Sequence, residues 1–373
     1  MDTTRRWFLG ALGGAAGAAL LGAPAEAAGA RPAGGLRQRR LYLGSWGHGI
    51  RTAELDPATG LPARLAPGAD SPDPSYLALA PGGRTLYAAN ELAEGTISAF
   101  AVARGGGLRP LGATPTGGVH PVYVHAHPNG RYVLSANYTS GSVSVLPVLP
   151  GGGLGAPTDV AQHTGSGPDP QRQQGPHPHK VLTDPAARFV HAVDLGADAV
   201  VSYRLRRGRL ERVGAARMHP GAGPRHLAFD PRGRAAYVAN ELDGTLTVLR
   251  YDAGCGRLTP HQTLPAAPAG DVRNYPGEVV VSPDGRFVYV SNRGPNTIGI
   301  FAAGRDGLTP VGSVPSGGNW PRHIALDGAG TLLYVANQIS GDVTTLRVNR
   351  RTGGLSPAGP ALAVPTPTMV LPA

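Results

Sequence analysis

One phrase returns along this chain and restricts its fold more than any other feature. An apolar alternating run ends on Asn or Asp, a polar turn with Gly follows, and a second alternating run comes after it. The six copies are Leu86-Tyr87-Ala88-Ala89-Asn90, Val133-Leu134-Ser135-Ala136-Asn137, Val190-His191-Ala192-Val193-Asp194, Tyr237-Val238-Ala239-Asn240, Tyr289-Val290-Ser291-Asn292 and Tyr334-Val335-Ala336-Asn337. The Asn or Asp landmarks are 47, 57, 46, 52 and 45 residues apart, and Leu41-Tyr42-Leu43-Gly44 lies 46 before the first. Seven units of one size class mean a repeat architecture, in which each unit buries its apolar faces against its neighbours.

Within a unit the pieces keep one order, as in Pro224 to Phe229, Ala236 to Asn240, Thr245 to Leu249 and Leu258 to Pro260. Each is short, rich in apolar and β-branched residues, and bounded by turns such as Pro283-Asp284-Gly285-Arg286, which reads as a strand. Four strands in about 45 to 50 residues describe one propeller blade. No amphipathic helical window follows residue 40, which excludes a βαβ fold. Gly (56) and Pro (37) together make a quarter of the 373 residues, a level that signals low complexity unless it recurs regularly; here the many tight turns account for it. The expected fold is all-β: a seven-bladed β-propeller of four-stranded antiparallel blades spanning 41–373. The first unit begins at its second strand, and Pro365 to Pro372 matches a first strand, so the C-terminus is expected to close the ring beside Tyr42 and remove its open edge.

Residues 1–27 read as a leader. Thr4-Arg5-Arg6-Trp7-Phe8-Leu9 precedes a mildly apolar Gly/Ala run from Gly10 to Leu21 and the small-residue pattern Ala25-Glu26-Ala27. This resembles a twin-arginine export signal, so the mature protein is expected in the periplasm, the cell envelope or the medium. The run is too short and glycine-rich for a stable membrane span. Residues 28–40 read as a flexible linker. The single cysteine, Cys255 in Gly-Cys-Gly, excludes an intrachain disulfide or a CxxC motif. The formal charge is +10, but all of the cationic side chains except Lys180 are arginines scattered over turns. No nucleic-acid partner is expected from that distribution.

First strands of a propeller line its channel, so their opening residues crowd one mouth. Those positions are Ser75, Val122, His177, Arg225, Glu278, Arg322 and Thr368. Four ionisable groups in a structural ring are improbable, because buried unpaired charge is costly. A salt-bridge network of Arg225, Arg322 and Glu278 between blades is the alternative. Pro176-His177-Pro178-His179 puts two histidines on one face of an extended segment, but no third ligand stands at a metal-binding spacing, so neither a metal nor another cofactor is expected. Gly223-Pro224-Arg225-His226 returns as Trp320-Pro321-Arg322-His323, two fixed cations suited to a carboxylate, phosphate or oxyanion. Glu91, Glu241 and Arg293 follow landmark asparagines.

At these residues the chain resembles the lactonase family of seven-bladed propellers, which includes one type of bacterial 6-phosphogluconolactonase and fungal carboxy-muconate cyclase. The resemblance runs from Leu41 to the end. It rests on Pro74-Ser75-Tyr76-Leu77, Ala136-Asn137-Tyr138, the Pro-His-Pro-His phrase, Val193-Asp194-Leu195-Gly196, Gly223-Pro224-Arg225-His226, Asn240-Glu241-Leu242, Ser291-Asn292-Arg293-Gly294 and Ala336-Asn337-Gln338. It implies a catalytic cluster of His177, Arg225 and Glu241, with His179, Glu278, Arg293 and Arg322 expected around the substrate. Many relatives carry a Tyr-Thr phrase where this chain has Ser45-Trp46-Gly47-His48.

The expected activity is hydrolysis, or the reverse formation, of a lactone ring, with a small lactone or hydroxy acid as partner; the oligomeric state, a monomer included, is left open by the sequence. Arg225, helped by Arg322, is assigned to the carbonyl or an anionic substituent, His177 to proton transfer, and Glu241 or Glu278 to orienting it or serving as partner base. No Gly-x-Ser-x-Gly elbow is present, which argues against an acyl-serine. An export signal is foreign to a phosphorylated sugar lactone, so a different lactone is expected. A non-catalytic envelope propeller that only binds, or a metal-dependent propeller with acidic ligands on the axis, are the competing readings.

Overall fold

The computed structural model describes residues 40–373. The expected export leader, and the linker apart from Arg40, lie outside those residues. Arg40 already belongs to the first strand, Arg40–Ser45.

The described chain consists of strands and turns arranged as seven antiparallel sheets. We number the blades by their innermost strands: Pro367–Pro372 (blade 1), Pro74–Leu79 (2), Pro121–Ala126 (3), Pro178–Thr183 (4), Pro224–Phe229 (5), Tyr275–Val281 (6) and Pro321–Leu326 (7). Six blades have four strands; in blade 7 the outer position is shared by two short strands, Leu355–Pro357 and Leu362–Ala363. The ring closes through the C-terminus, with Leu41 opposite Pro372, Tyr42 opposite Leu371 and Gly44 opposite Met369.

The repeated phrase explains how blades hold together. Its apolar residues fill the seams between neighbouring sheets, as where Val193 and Val200 of blade 4 meet Leu227 and Val238 of blade 5. Four tyrosines at equivalent places are buried with their hydroxyls satisfied across the seam. Tyr42, Tyr87, Tyr289 and Tyr334 donate to the carbonyls of Gly106, Gly152, Gly353 and Gly60 in the next blade, at 2.8 to 3.1 Å. Those glycines have φ of +73° to +93°, the left-handed turn conformation that other residues adopt only with strain. One buried phenol thus fixes both a seam and a hairpin tip.

The landmark asparagines are wholly buried and pin the end of the second strand to the third. Asn137 Nδ2 donates to Ser142 and Ser144, and Asn240 Nδ2 to Thr245 and Thr247. Blade 4 replaces the amide with Asp194, which only accepts: Oδ2 takes a hydrogen bond from His163 Nδ1 (2.6 Å) and Oδ1 the N–H groups of His177 and Ala197. The carboxylate stands where donors converge, and so fixes the loop that carries the two histidines of the Pro-His-Pro-His phrase.

Candidate active site

In six blades the innermost strand opens on proline followed by a bulge. Pro224 pairs with Asn240 and His226 with Ala239, which leaves Arg225 unpaired, and blades 1, 2, 3, 4 and 7 repeat the irregularity. Blade 6 skips both Gly277 and Glu278 between Pro276 and Val279. A bulge re-aims side chains, so the skipped residue and the one after it both reach the channel, at two levels.

The upper level holds His179, Arg225 and Arg322, with Gly277 at the matching place in blade 6. The lower level holds Tyr76, Tyr123, Lys180, His226, Glu278 and His323. This corrects the sequence register twice. His177 precedes the strand-opening Pro178, and the residue that matches Arg225 is His179. Glu278 belongs to the lower level, buried at 1% exposure, and its carboxylate is taken up by Lys180, His226 and His323.

Glu241, on the turn after Asn240, is the hub of the upper level. Its N–H donates to Gly223 O (2.7 Å). Its carboxylate meets Arg172 Nη2 at 2.7 Å, Arg293 Nη2 at 2.8 Å and Arg225 Nε at 3.0 Å. The arginines are anchored independently: Arg225 Nη1 donates to Gly277 O, Arg293 Nε to Tyr275 O, and Arg172 Nη2 also to Tyr138 Oη. Burial alone would raise the Glu241 pKa, but Arg293, Arg225 and Arg172 outweigh it and hold the carboxyl well below its usual range. Burial, Arg293 and Arg322 press Arg225 down to about 9, still a cation at neutral pH. Three guanidinium groups on one carboxylate leave two surplus positive charges. Arg322 adds another; its guanidinium lies 4.7 Å from the Trp46 ring centroid and, among the described residues, makes no salt bridge, though the Glu91 carboxylate acts on it from farther off.

The two histidines of the Pro-His-Pro-His phrase flank this hub. His177 Nδ1 donates to Tyr138 O (2.8 Å), and its ring stacks on the Tyr138 ring at 4.5 Å and 14°. Glycine is required opposite it, because a Cβ at Gly196 would lie 1.9 Å from Gly175 O and 2.8 Å from the His177 ring. His179 packs edge-on to Tyr138 and meets His226, Nδ1 to Nε2, at 3.2 Å. Burial, Arg225 and His226 depress its pKa well below 6.5, so it is neutral at pH 7.

Below the mouth, Glu278 is a second hub. It accepts from Lys180 Nζ (3.1 Å), His226 Nδ1 (2.7 Å) and His323 Nε2 (3.2 Å). Burial opposes its charge, but His226 and Lys180 keep it ionised. Tyr76 Oη lies 3.2 Å from both Tyr123 Oη and His323 Nε2, and Lys180 Nζ sits 5.2 Å from the Tyr123 ring centroid. The only lysine in the sequence is thus spent on this buried plug. Among the described residues no group of three or more His, Cys, Asp or Glu is placed to hold a metal.

Sequence reasoning placed Arg225, Glu241, Arg293 and His179 together at this site, and missed Arg172, Tyr138 and all of the lower level but Glu278. Arg172 lies in the loop that makes the blade 3 to blade 4 interval 57 residues; that excess length was the available signal. The lower level was written in the third residue of each opening phrase, Pro-Ser-Tyr, Pro-Val-Tyr, Pro-His-Lys and Pro-Arg-His, once the bulge is known.

The family model for the lactonase seven-bladed β-propeller matches residues 40–372. A 6-phosphogluconolactonase of Bacillus subtilis is 34% identical over 338 residues, 88% of this chain and 97% of its own. One from Pectobacterium carotovorum is 33% identical over 288 residues, 75% of this chain and 82% of its own. The solved periplasmic gluconolactonase of Pseudomonas aeruginosa superposes with a TM-score of 0.84 at 32% identity, covering 89% of this chain and 98% of that one. The chain belongs to the lactonase family of seven-bladed β-propellers and is an enzyme of the lactonase type.

Proposed function

We propose that the protein is an exported hydrolase that opens the ring of a small lactone other than a phosphorylated sugar lactone. The observation that carries the reaction type is the Glu241 hub. A carboxylate held ionised by three arginines is a poor base, so Glu241 serves to fix those cations where negative charge develops. Water adds to the ring carbonyl, the carbonyl oxygen takes the charge, and the ring C–O bond breaks as the leaving alkoxide receives a proton. Arg225 faces the oxyanion, its Nη2 free of described hydrogen-bond partners. Arg293 and Arg172 complete the positive field, and Arg322 against Trp46 takes a substrate carboxylate or hydroxyl. The Pro-His-Pro-His segment supplies the proton carrier, from His177 or His179, close to the hub.

Export rests on the Arg5-Arg6 leader phrase and finds company in the periplasmic gluconolactonase. Phosphorylated sugar lactones belong inside cells, which favours an unphosphorylated substrate. No helix among the described residues is long and apolar enough to cross a membrane. The test is ring opening by the mature protein on a panel of sugar lactones, 6-phosphorylated and not, and aromatic lactones, with and without chelator. The expected result is chelator-insensitive opening of an unphosphorylated lactone. Absence of opening across the panel would favour a propeller that only binds, and loss with chelator a metal-dependent one.

A further inference from the structure

We propose that Glu278 and His226 are positioning residues that fix His179, rather than His177, as the proton-accepting base of the site. The inference rests on the lactonase reading above for its chemistry, but its geometry is independent of it.

With His226 kept neutral by its burial, the hydrogen bonds leave one consistent arrangement. A carboxylate only accepts, so His226 carries its proton on Nδ1, which lies 2.7 Å from Glu278 Oε2. Neutral His226 then presents a bare Nε2. His179 Nδ1 stands 3.2 Å from that nitrogen and must carry the proton. The Nε2 atom of His179 is therefore left with its lone pair, and no described residue hydrogen-bonds to it. His323 does not disturb the pattern: its Nδ1 accepts the Val370 N–H (3.4 Å), so its Nε2–H is the donor to Glu278. Lys180 balances the carboxylate charge. His177 lacks such a relay, because its Nδ1–H ends on the neutral carbonyl of Tyr138.

The relay also gives the proton somewhere to go. As water adds to the lactone carbonyl, its proton passes to His179 Nε2. The Nδ1 proton of His179 moves to His226 Nε2, and His226 becomes an imidazolium 2.7 Å from the Glu278 carboxylate. The steps reverse when the ring oxygen leaves, so the proton ends on the product hydroxyl. An anion that orients an imidazole and stabilises its charged form, without itself being protonated, is worth orders of magnitude in kcat in serine hydrolases. Here a second imidazole carries that effect across one more layer.

The experiment has two arms. In the first, 15N-histidine NMR of the mature protein, with the His179 signals assigned by their loss in His179→Gln, should show Nδ1 protonated and Nε2 bare; the opposite tautomer would overturn the proposal. In the second, kcat and KM are measured on the lactone from the panel that is opened fastest. Glu278→Gln should lower kcat by about 100-fold or more with KM within about twofold. His226→Phe, which keeps ring volume and leaves Glu278 paired with Lys180, should do the same if Glu278→Gln does not fold. Wild-type kcat in either folded variant, or loss of kcat in His177→Ala with none in His179→Ala, would also overturn it. If wild type opens no lactone, the functional reading fails while the NMR arm still decides the relay.

Discussion

The channel contains two buried glutamates, and their surroundings differ in one decisive respect. Glu278 is neutralised by a single lysine, and its remaining partners are histidines kept neutral by burial. Glu241 is over-neutralised by three arginines. The six lower-level residues close on one another, whereas the upper level keeps one arginine, Arg172, with 38% of its side chain exposed, and another, Arg322, without a salt bridge among the described residues. A balanced cluster needs nothing more. An unbalanced one, held in place against its own repulsion, is built to meet negative charge from outside.

The comparison breaks most easily at Lys180. Replacing it with Met leaves Glu278 without its one full cation, and the loss of a partner in a buried pair costs about 3–5 kcal/mol; urea unfolding should show it. Removing Arg225 should do the reverse. Glu241 keeps two arginines in Arg225→Ala, so the fold should survive, while kcat/KM falls about 100- to 1000-fold through the lost oxyanion contact. Because Arg225 and the base act on one transition state, Arg225→Ala combined with His179→Ala should lose far less than the product of the two effects.

Buried histidines in and around both clusters set the response of the fold to pH. His179, His226 and His323 are depressed by burial, as are His125 and His191, the last two to about 3 and about 4. Below about pH 6.5 the unfolded chain binds protons that these folded histidines refuse, so stability must fall as pH drops from 6.5 toward 4.5. Each contributes up to about 1.4 kcal/mol per pH unit. The depressed pKa values of Glu241 and Glu278 act only later, below about pH 4.3, where unfolded carboxylates begin to protonate. A thermal midpoint that stays level from pH 7 to pH 5 would contradict the neutral lower level. The smallest effect is expected at Arg322→Ala: a several-fold rise in KM for an anionic lactone, with kcat nearly unchanged, read from initial rates.

Fold and site were legible in the sequence to different depths. The Asn landmarks and the C-terminal strand phrase sufficed for blade number and ring closure, since both are local patterns that the ladder repeats. Arg225, Glu241 and Arg293 were legible because each sits at a fixed offset from a landmark. The bulge was not, because Pro224-Arg225-His226 reads as three strand residues with no mark of which one is skipped. That uncertainty raised Glu278 by one level, and a separate two-residue slip, Pro176 read as the strand opener where Pro178 is, put His177 in the place of His179. Arg172 was hidden for a different reason: it reaches Glu241 from a long loop, whose path depends on Gln173 bonding to Leu195 O and Asp198, contacts across the blade that no local pattern encodes.

The central claim is that the upper cluster performs chemistry and the lower one holds it in place. The most direct test is to measure the thermal midpoint and the lactone turnover per folded molecule of Arg225→Ala beside those of Lys180→Met. The two-level arrangement predicts that Arg225→Ala melts near wild type and loses at least about 100-fold in kcat/KM, while Lys180→Met melts far lower. An Arg225→Ala protein that melts well below wild type yet turns over lactone at the wild-type rate per folded molecule would contradict it, and would make the arginine ring a structural clamp between blades.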